Sequence, residues 1–340
     1  MHAFSRRALL AGVGASLALP AIPGQAQAAD RIDIHHHVAS PLWLQAVGAK
    51  NEQPPGFLQN LREWTPARMV EEMDRAGTAK GMVSPTAPGV WMGDVSESIR
   101  LARDANEYAA KVVAQYPKRF GFWAVLPMRS ADASLREIAY SFDTLKADGV
   151  SIFASYGDKY LGDPSYDPIF AELDRRKAVA FIHPGNPACC RGLVHGIPDS
   201  VIEGPADTAR TLAGYVFSGA SQRYPNVRII FVHAGGVMPS VNERLTLLAK
   251  TAQYQKVLPN GFLPEVAKLY FDTATVSNAA SMAALRRLVP ASRIFFGTDF
   301  PNRHILDQVQ ALDTGGVFTA AELEEIYRTN ALALVPRLES

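Results

Sequence analysis

Eight short apolar runs separated by amphipathic stretches set the strongest limit on what this chain can fold into. The runs are Asp33–His37, Gly81–Ser84, Phe120–Leu126, Gly149–Ser155, Val179–His183, Val227–His233, Leu269–Asp272 and Ile294–Thr298. Several of them, such as Ile229-Ile230-Phe231-Val232 and Ile294-Phe295-Phe296, are apolar without interruption. Strands of that kind are buried on both faces, as in a parallel sheet. Apolar residues at helical spacing predict helices between the runs, among them 66–76, 206–224, 239–254 and a C-terminal 320–335. In the helix predicted at 96–116, Ser96 is the expected cap, and Ile99, Leu101, Ala102, Ala105, Tyr108, Ala109 and Val112 form the apolar face. The Pro-containing polar stretch 41–66 reads as a loop with short helical pieces. The economical architecture is a single α/β domain over residues 29–340, a (β/α)8 TIM barrel with added C-terminal helices. An open doubly wound sheet is the alternative, but no Gly-rich phosphate loop follows any run.

Residues 1–28 follow another pattern. Ser5-Arg6-Arg7 precedes an uncharged Ala/Leu/Val/Gly run from Ala8 to Ala21, and Ala26-Gln27-Ala28 forms a small-x-small cleavage site. These are the marks of a twin-arginine signal peptide. A membrane anchor requires about 20 apolar residues, and this run is shorter. The expectation is a periplasmic or secreted protein, exported by the twin-arginine route and left without a membrane anchor after cleavage. The whole chain carries 34 Lys and Arg against 33 Asp and Glu, so losing Arg6 and Arg7 leaves 32 basic residues and a nearly neutral protein. That balance argues against nucleic acid as a partner. The two cysteines, Cys189 and Cys190, are adjacent and cannot staple distant parts of a fold. A bridge between them closes a strained ring, so no disulfide framework is expected, and a role in lining the site stays open.

In a barrel of this kind the active site lies where strands end and the following loops begin. The first run ends in His35-His36-His37, the fifth in His183, the sixth in His233 and the eighth leads into Asp299. Side chains alternate along a strand, so His35 and His37 face one way, their imidazoles within reach of one ion. His36 faces the other way and is expected to be packed and hydrogen-bonded. Four histidines and one aspartate, spread over 264 positions (299 less 35), thus meet at one mouth.

On these residues the chain resembles the metal-dependent amidohydrolase superfamily, in its branch of amidohydrolase-related decarboxylases. The resemblance implies that His35, His37, His183 and Asp299 hold a divalent ion, with zinc as first choice and manganese also fitting. It implies that His233 is a catalytic acid/base beside the metal, working with Asp299. Many superfamily members carry a bridging lysine at the end of the fourth strand; here that end is Phe153-Ala154-Ser155, and Lys159 lies too far beyond it, which implies one ion rather than two. Segments such as Tyr160-Leu161-Gly162-Asp163-Pro164, Asp207-Thr208 with Arg210, and Tyr224-Pro225 are similar to 6-methylsalicylate decarboxylases in particular. Arg244, eleven residues after His233, matches an arginine that reaches the substrate carboxylate of a neighbouring subunit in aminocarboxymuconate-semialdehyde decarboxylases, which implies a homodimer. One departure stands out: the related γ-resorcylate and dihydroxybenzoate decarboxylases have a glutamate three residues after the catalytic histidine, where this chain has Gly236.

The expected chemistry is therefore non-oxidative decarboxylation of a small ortho-hydroxybenzoate or related unsaturated acid. A bound ion would hold negative charge on the substrate, and His233 would supply the proton, an ordinary histidine titrating near ~6.5. Hydrolysis of an ester, lactone or amide is the first alternative, with Asp299 taking a proton from the attacking water. A non-catalytic periplasmic metal-binding or aromatic-acid-binding protein is the second, but it gives no reason for an acid/base group beside the metal.

Overall fold

The computed structural model describes residues 30–50, 56–185 and 187–339; the signal segment expected at 1–28 lies outside the described residues. Eight strands build one sheet: β1 (Arg31–His37), β2 (Thr78–Ser84), β3 (Phe120–Val125), β4 (Gly149–Phe153), β5 (Val179–His183), β6 (Arg228–Phe231), β7 (Tyr270–Asp272) and β8 (Ile294–Phe295). Each pairs in parallel with the next in this order. The sheet then closes on itself. Ile34 N–H donates to Phe296 O at 3.0 Å, and beyond β8 the Asp299 N–H donates to His35 O at 2.9 Å. The fold is the (β/α)8 barrel that the eight runs predict.

Two apolar layers hold it. The outer one packs strand residues such as Phe122, Ile152, Ile182 and Phe231 against the surrounding helices. The inner one fills the barrel with Ile32, Ile34, Met82, Trp123, Phe181, Ile230 and Phe295, and is floored by Leu334, Val335 and Leu338 of the C-terminal segment. Arg228 fastens that floor by donating to Leu334 O at 2.8 Å. The expected 320–335 helix is present in three pieces, Ala320–Glu324, a π-turn at Glu325–Thr329, and Asn330–Leu334.

Strict alternation from Ile32 and Ile34 would turn His36, not His35 and His37, into the barrel. The register of β1 against β2 shifts between Asp33 and His36, and this irregularity restores the inward aim of His35 and His37. Asp33 and His36 share the outer side, where His36 packs on Phe300 with Nε2 2.8 Å from Asp33 Oδ2. Asp33 Oδ1 accepts from the His35 N–H at 2.9 Å and the Thr298 N–H at 3.1 Å, while its other oxygen accepts from the Thr298 hydroxyl. One buried carboxylate thus bonds both sides of the β1/β8 seam.

Other local expectations need correction. The helix expected at 96–116 spans Val95–Gln115 and is capped by Asp94, whose carboxylate accepts from Glu97 N–H at 2.7 Å, so Ser96 is not its cap. Ile99, placed on the apolar face by spacing, is among the exposed hydrophobics. The helix expected to begin at 206 begins at Asp199, running through Pro205, and ends at Phe217 before the left-handed Gly219 (φ 77°). Cys189 and Cys190 are bonded to each other, the bridge disfavoured by its ring strain; it joins no distant segments.

The contact between this helix and the loop after β6 depends on a glycine. Gly236 has φ 65° and packs so tightly that an added Cβ would lie 2.0 Å from Pro205 O. Gly316 has nearly the same φ, 66°, with nothing near its missing Cβ. Gly236→Ala is expected to lower the thermal midpoint clearly more than Gly316→Ala. The latter carries only the left-handed backbone cost of roughly 1 kcal/mol. Equal shifts in a side-by-side melt would show that the Pro205 contact yields freely.

Candidate active site

His35 and His37 of β1, His183 ending β5, and Asp299 following β8 bring one ligand atom each to within 4.8 Å of one another, and all four residues are buried. The arrangement of their hydrogen bonds shows what it is suited to hold. His35 Nδ1 lies 2.7 Å from Asp272 Oδ2, His37 Nδ1 3.2 Å from Ser84 O, and His183 Nδ1 2.8 Å from Pro184 O. In a neutral imidazole an acceptor at each Nδ1 keeps the proton there and leaves Nε2 a lone pair for an ion, which would take the place of any proton held on Nε2 without it. Those lone pairs converge: His35 Nε2 and His37 Nε2 are 3.2 Å apart, and Asp299 Oδ1 is 2.8 Å from His37 Nε2 and 3.4 Å from His35 Nε2. His183 Nε2 is buried without a hydrogen-bond partner. Lone pairs of this kind repel unless a cation stands among them, so the donor set fits a divalent metal ion.

Protonation follows the same logic. Burial works against a charge on His35, but Asp272 and Asp299 outweigh it and raise its pKa to about 10. His37 and His183 are lowered, in both chiefly by burial. Burial pushes the Asp299 carboxyl up, yet the hydrogen bonds of His35 and His37 hold it well below the usual range. The cluster draws positive charge.

His233 stands beside it. Its ring stacks on that of His35 with centroids 5.2 Å apart, and its Nε2, 4.0 Å from Asp299 Oδ2, is buried without a hydrogen-bond partner. Burial lowers its pKa to about 4 despite the opposing pull of Asp299, below the ordinary value assumed for it from sequence. Its backbone is left-handed at φ 53°, followed by Ala234 at 55°; Asp299 has φ 67°. Such conformations cost non-glycine residues of order 1–3 kcal/mol each and collect at functional sites. Asp272 supports the first of them, its Oδ1 accepting from the His233 N–H at 2.7 Å while its Oδ2 faces His35. Sequence reasoning left Asp272 without a role, although it ends the seventh run as the histidines end theirs.

Lys159, expected to lie too far beyond the fourth strand to bridge two ions, and Arg244 both have other surroundings. Lys159 donates to Ser165 Oγ at 2.8 Å and pairs with Asp163, away from the cluster. Arg244 is exposed on the helix Met238–Ala249 and is not brought to the site within this chain. A cavity of about 320 Å³ opens on the same end of the barrel, walled by residues that follow β1, β2, β4 and β5, including Trp91, Met92, Ser155 and Arg191. None of its walls is a metal-type ligand.

Known proteins are similar to this chain in sequence and in fold. A decarboxylase of Aspergillus niger, yanB, is 35% identical over 91% of this chain and 88% of its own length. The 6-methylsalicylic acid decarboxylase of Penicillium expansum is 35% identical over 80% of this chain and 85% of its own. In structure, a dihydroxybenzoic acid decarboxylase from Polaromonas sp. JS666, solved with manganese and the inhibitor 2-nitroresorcinol, superposes with a TM-score of 0.79 at 22% identity, over 90% of this chain and 97% of that one. Residues 32–337 match the amidohydrolase family, and the chain belongs to it.

Proposed function

We propose that this protein is a metal-dependent, non-oxidative decarboxylase of a small aromatic acid with a hydroxyl ortho to its carboxylate, of the 6-methylsalicylate type. The observation that carries the reading is His233: a buried imidazole with an unengaged Nε2, set beside a cluster that already has the donors for an ion. The two decarboxylases at 35% identity support the same chemistry.

A divalent ion at His35, His37, His183 and Asp299 would supply Lewis acidity toward the substrate's oxygens. Imidazole and carboxylate donors make zinc the first assignment, and manganese fits the same set. The engagement of Lys159 with Ser165 favours a single ion. His233 Nε2 gives its proton to the carboxyl-bearing ring carbon, whose π electrons form the new C–H bond. The C–C bond then breaks, its electrons restoring the ring as carbon dioxide leaves. A substrate carboxylate beside His233 favours the protonated imidazole and so offsets the effect of burial. The Asp299 carboxylate, its Oδ2 4.0 Å from His233 Nε2, adds to that attraction, and solvent restores the proton to His233 after each turnover. Asp272 keeps both His35 and the His233 backbone in place.

His183→Ala is expected to lose metal and activity together. His233→Ala should keep its metal while release of carbon dioxide falls by ~10²-fold or more. Metal analysis and a panel of hydroxybenzoates read for carbon dioxide check both. A fully metallated His183→Ala protein, or a metal-free His233→Ala protein, contradicts the assignment of roles. Turnover of esters or lactones without carbon dioxide release makes the protein a hydrolase.

We also propose a homodimer with Arg244 at its interface. Arg244 has no ion pair among the described residues, and the neighbouring Leu247 and Leu248 are 57% and 41% exposed, an apolar strip that a second copy would cover. Its fork suits a substrate carboxylate across the interface. Arg244→Ala should raise KM or lower turnover at unchanged metal content; a fully active monomer by sedimentation rules this out.

Export by the twin-arginine route is proposed from Ser5-Arg6-Arg7. Replacing Arg6 and Arg7 with lysine should hold the protein in the cytoplasm, as fractionation will tell.

A further inference from the structure

The loop that leaves β5 holds both cysteines of the chain. Cys189 and Cys190 are bonded to each other inside the short turn Ala188–Cys190, which the Cys190 N–H closes by donating to Pro187 O at 3.2 Å. No step of the proposed decarboxylation involves sulfur, and the bridge joins no distant segments, so what it does is local. In an extended chain neighbouring side chains point to opposite faces. A bond between adjacent cysteines therefore forbids extension at both residues for as long as the sulfur stays oxidised. The surroundings leave that bond open to attack. Cys189 is exposed while Cys190 is buried, and residues 191–198 after them are all exposed. Gly192 and Gly196 in this stretch are left-handed, at φ 61° and 77°, with nothing near their missing Cβ atoms. The Gly192 N–H donates to Asp199 Oδ1 at 2.9 Å, at the start of the helix Asp199–Phe217. Ala188 and Arg191, on either side of the pair, both line the cavity of about 320 Å³, so the bridge also sets the spacing along one of its edges.

We propose that Cys189–Cys190 is a reversible thiol–disulfide exchange site for low-molecular-weight thiols and their disulfides, and that its oxidised form locks the loop between β5 and the long helix while its reduced form releases it. A thiolate attacks the exposed Cys189 Sγ; the S–S bond breaks, and its electron pair leaves on Cys190 Sγ, which takes a proton. A second thiolate attacks the sulfur of the first in the mixed disulfide, and Cys189 leaves as a thiolate to be protonated in turn. Two small thiols thus become one disulfide as the protein gains a dithiol, and the reverse requires only that disulfide as oxidant. In thiol-rich surroundings the loop is open, and in oxidising ones it is closed. The inference goes beyond the decarboxylase reading and does not depend on it.

Arg191, directly after the pair, supplies the test. Trypsin takes its substrates extended, so cleavage between Arg191 and Gly192 needs Cys189 and Cys190 extended as well. The metal-loaded full-length protein is held in oxidised or in reduced glutathione and digested briefly under native conditions, and the fragment that begins at Gly192 is followed by mass spectrometry. In oxidised glutathione no thiol should titrate and that fragment should form slowly. In reduced glutathione both cysteines should titrate, and the fragment should form about tenfold faster or more, since cleavage follows the population of the open loop. A variant with both Cys189→Ser and Cys190→Ser should be cleaved quickly in either buffer. With Cys190→Ser alone, the exposed Cys189 should take up one glutathione from the oxidised buffer faster than the buried Cys190 does in Cys189→Ser. Equal cleavage of the wild type in the two buffers, no thiols after reduction, or a double variant as resistant as the oxidised wild type overturns the proposal. So does loss of the ion on reduction together with cleavage throughout the chain, which would make the change a global unfolding.

Discussion

The Asp33 carboxylate closes this barrel. It is fully buried, and a buried charge is tolerated only when its lone pairs are met by donors. Those donors come from β1 and from the segment after β8, so the first and last strands are joined through it. The same seam carries three of the four residues of the cluster, His35 and His37 on one side and Asp299 on the other. Closure of the fold and assembly of the cluster are therefore one event. Where an ordinary barrel needs only paired backbone at its last seam, this one adds a carboxylate whose position decides which way the histidines point.

A second carboxylate, Asp272, does for chemistry what Asp33 does for architecture. It bonds the ring of a ligand with one oxygen and the backbone of His233 with the other. Through it the orientation of His35 and the left-handed turn at His233 depend on a common group. Gly236 completes the turn by letting the chain approach the Pro205 carbonyl. Any side chain at this position would require the helix carrying Pro205 to stand further away.

The barrel was legible because eight apolar runs between amphipathic stretches admit few architectures, and the cluster because its residues fall at run ends. What escaped was set by geometry finer than alternation. Alternation puts His35 and His37 on one face, as observed, but the β1 register shift that lets them share the inner side with Ile32 and Ile34 cannot be read from Ile32-Asp33-Ile34-His35. Asp94 outcompetes Ser96 because a cap is decided by where the backbone first turns helical. Ser155 and Asp207, 52 residues apart, meet through a hairpin and a long helix whose early start through Pro205 was not evident. The neutral-range titration expected of His233 failed because it takes an imidazole in water as reference, and this one is buried.

The division of the ligands along the chain has a temporal consequence. During synthesis His35 and His37 emerge early, His183 about midway, and Asp299 near the end. A nascent chain can gather imidazoles, yet the carboxylate that completes the set arrives with the strand that seals the cylinder. An ion held by these four residues would therefore be retained tightly only after ring closure, a chemical record that the last strand has found the first.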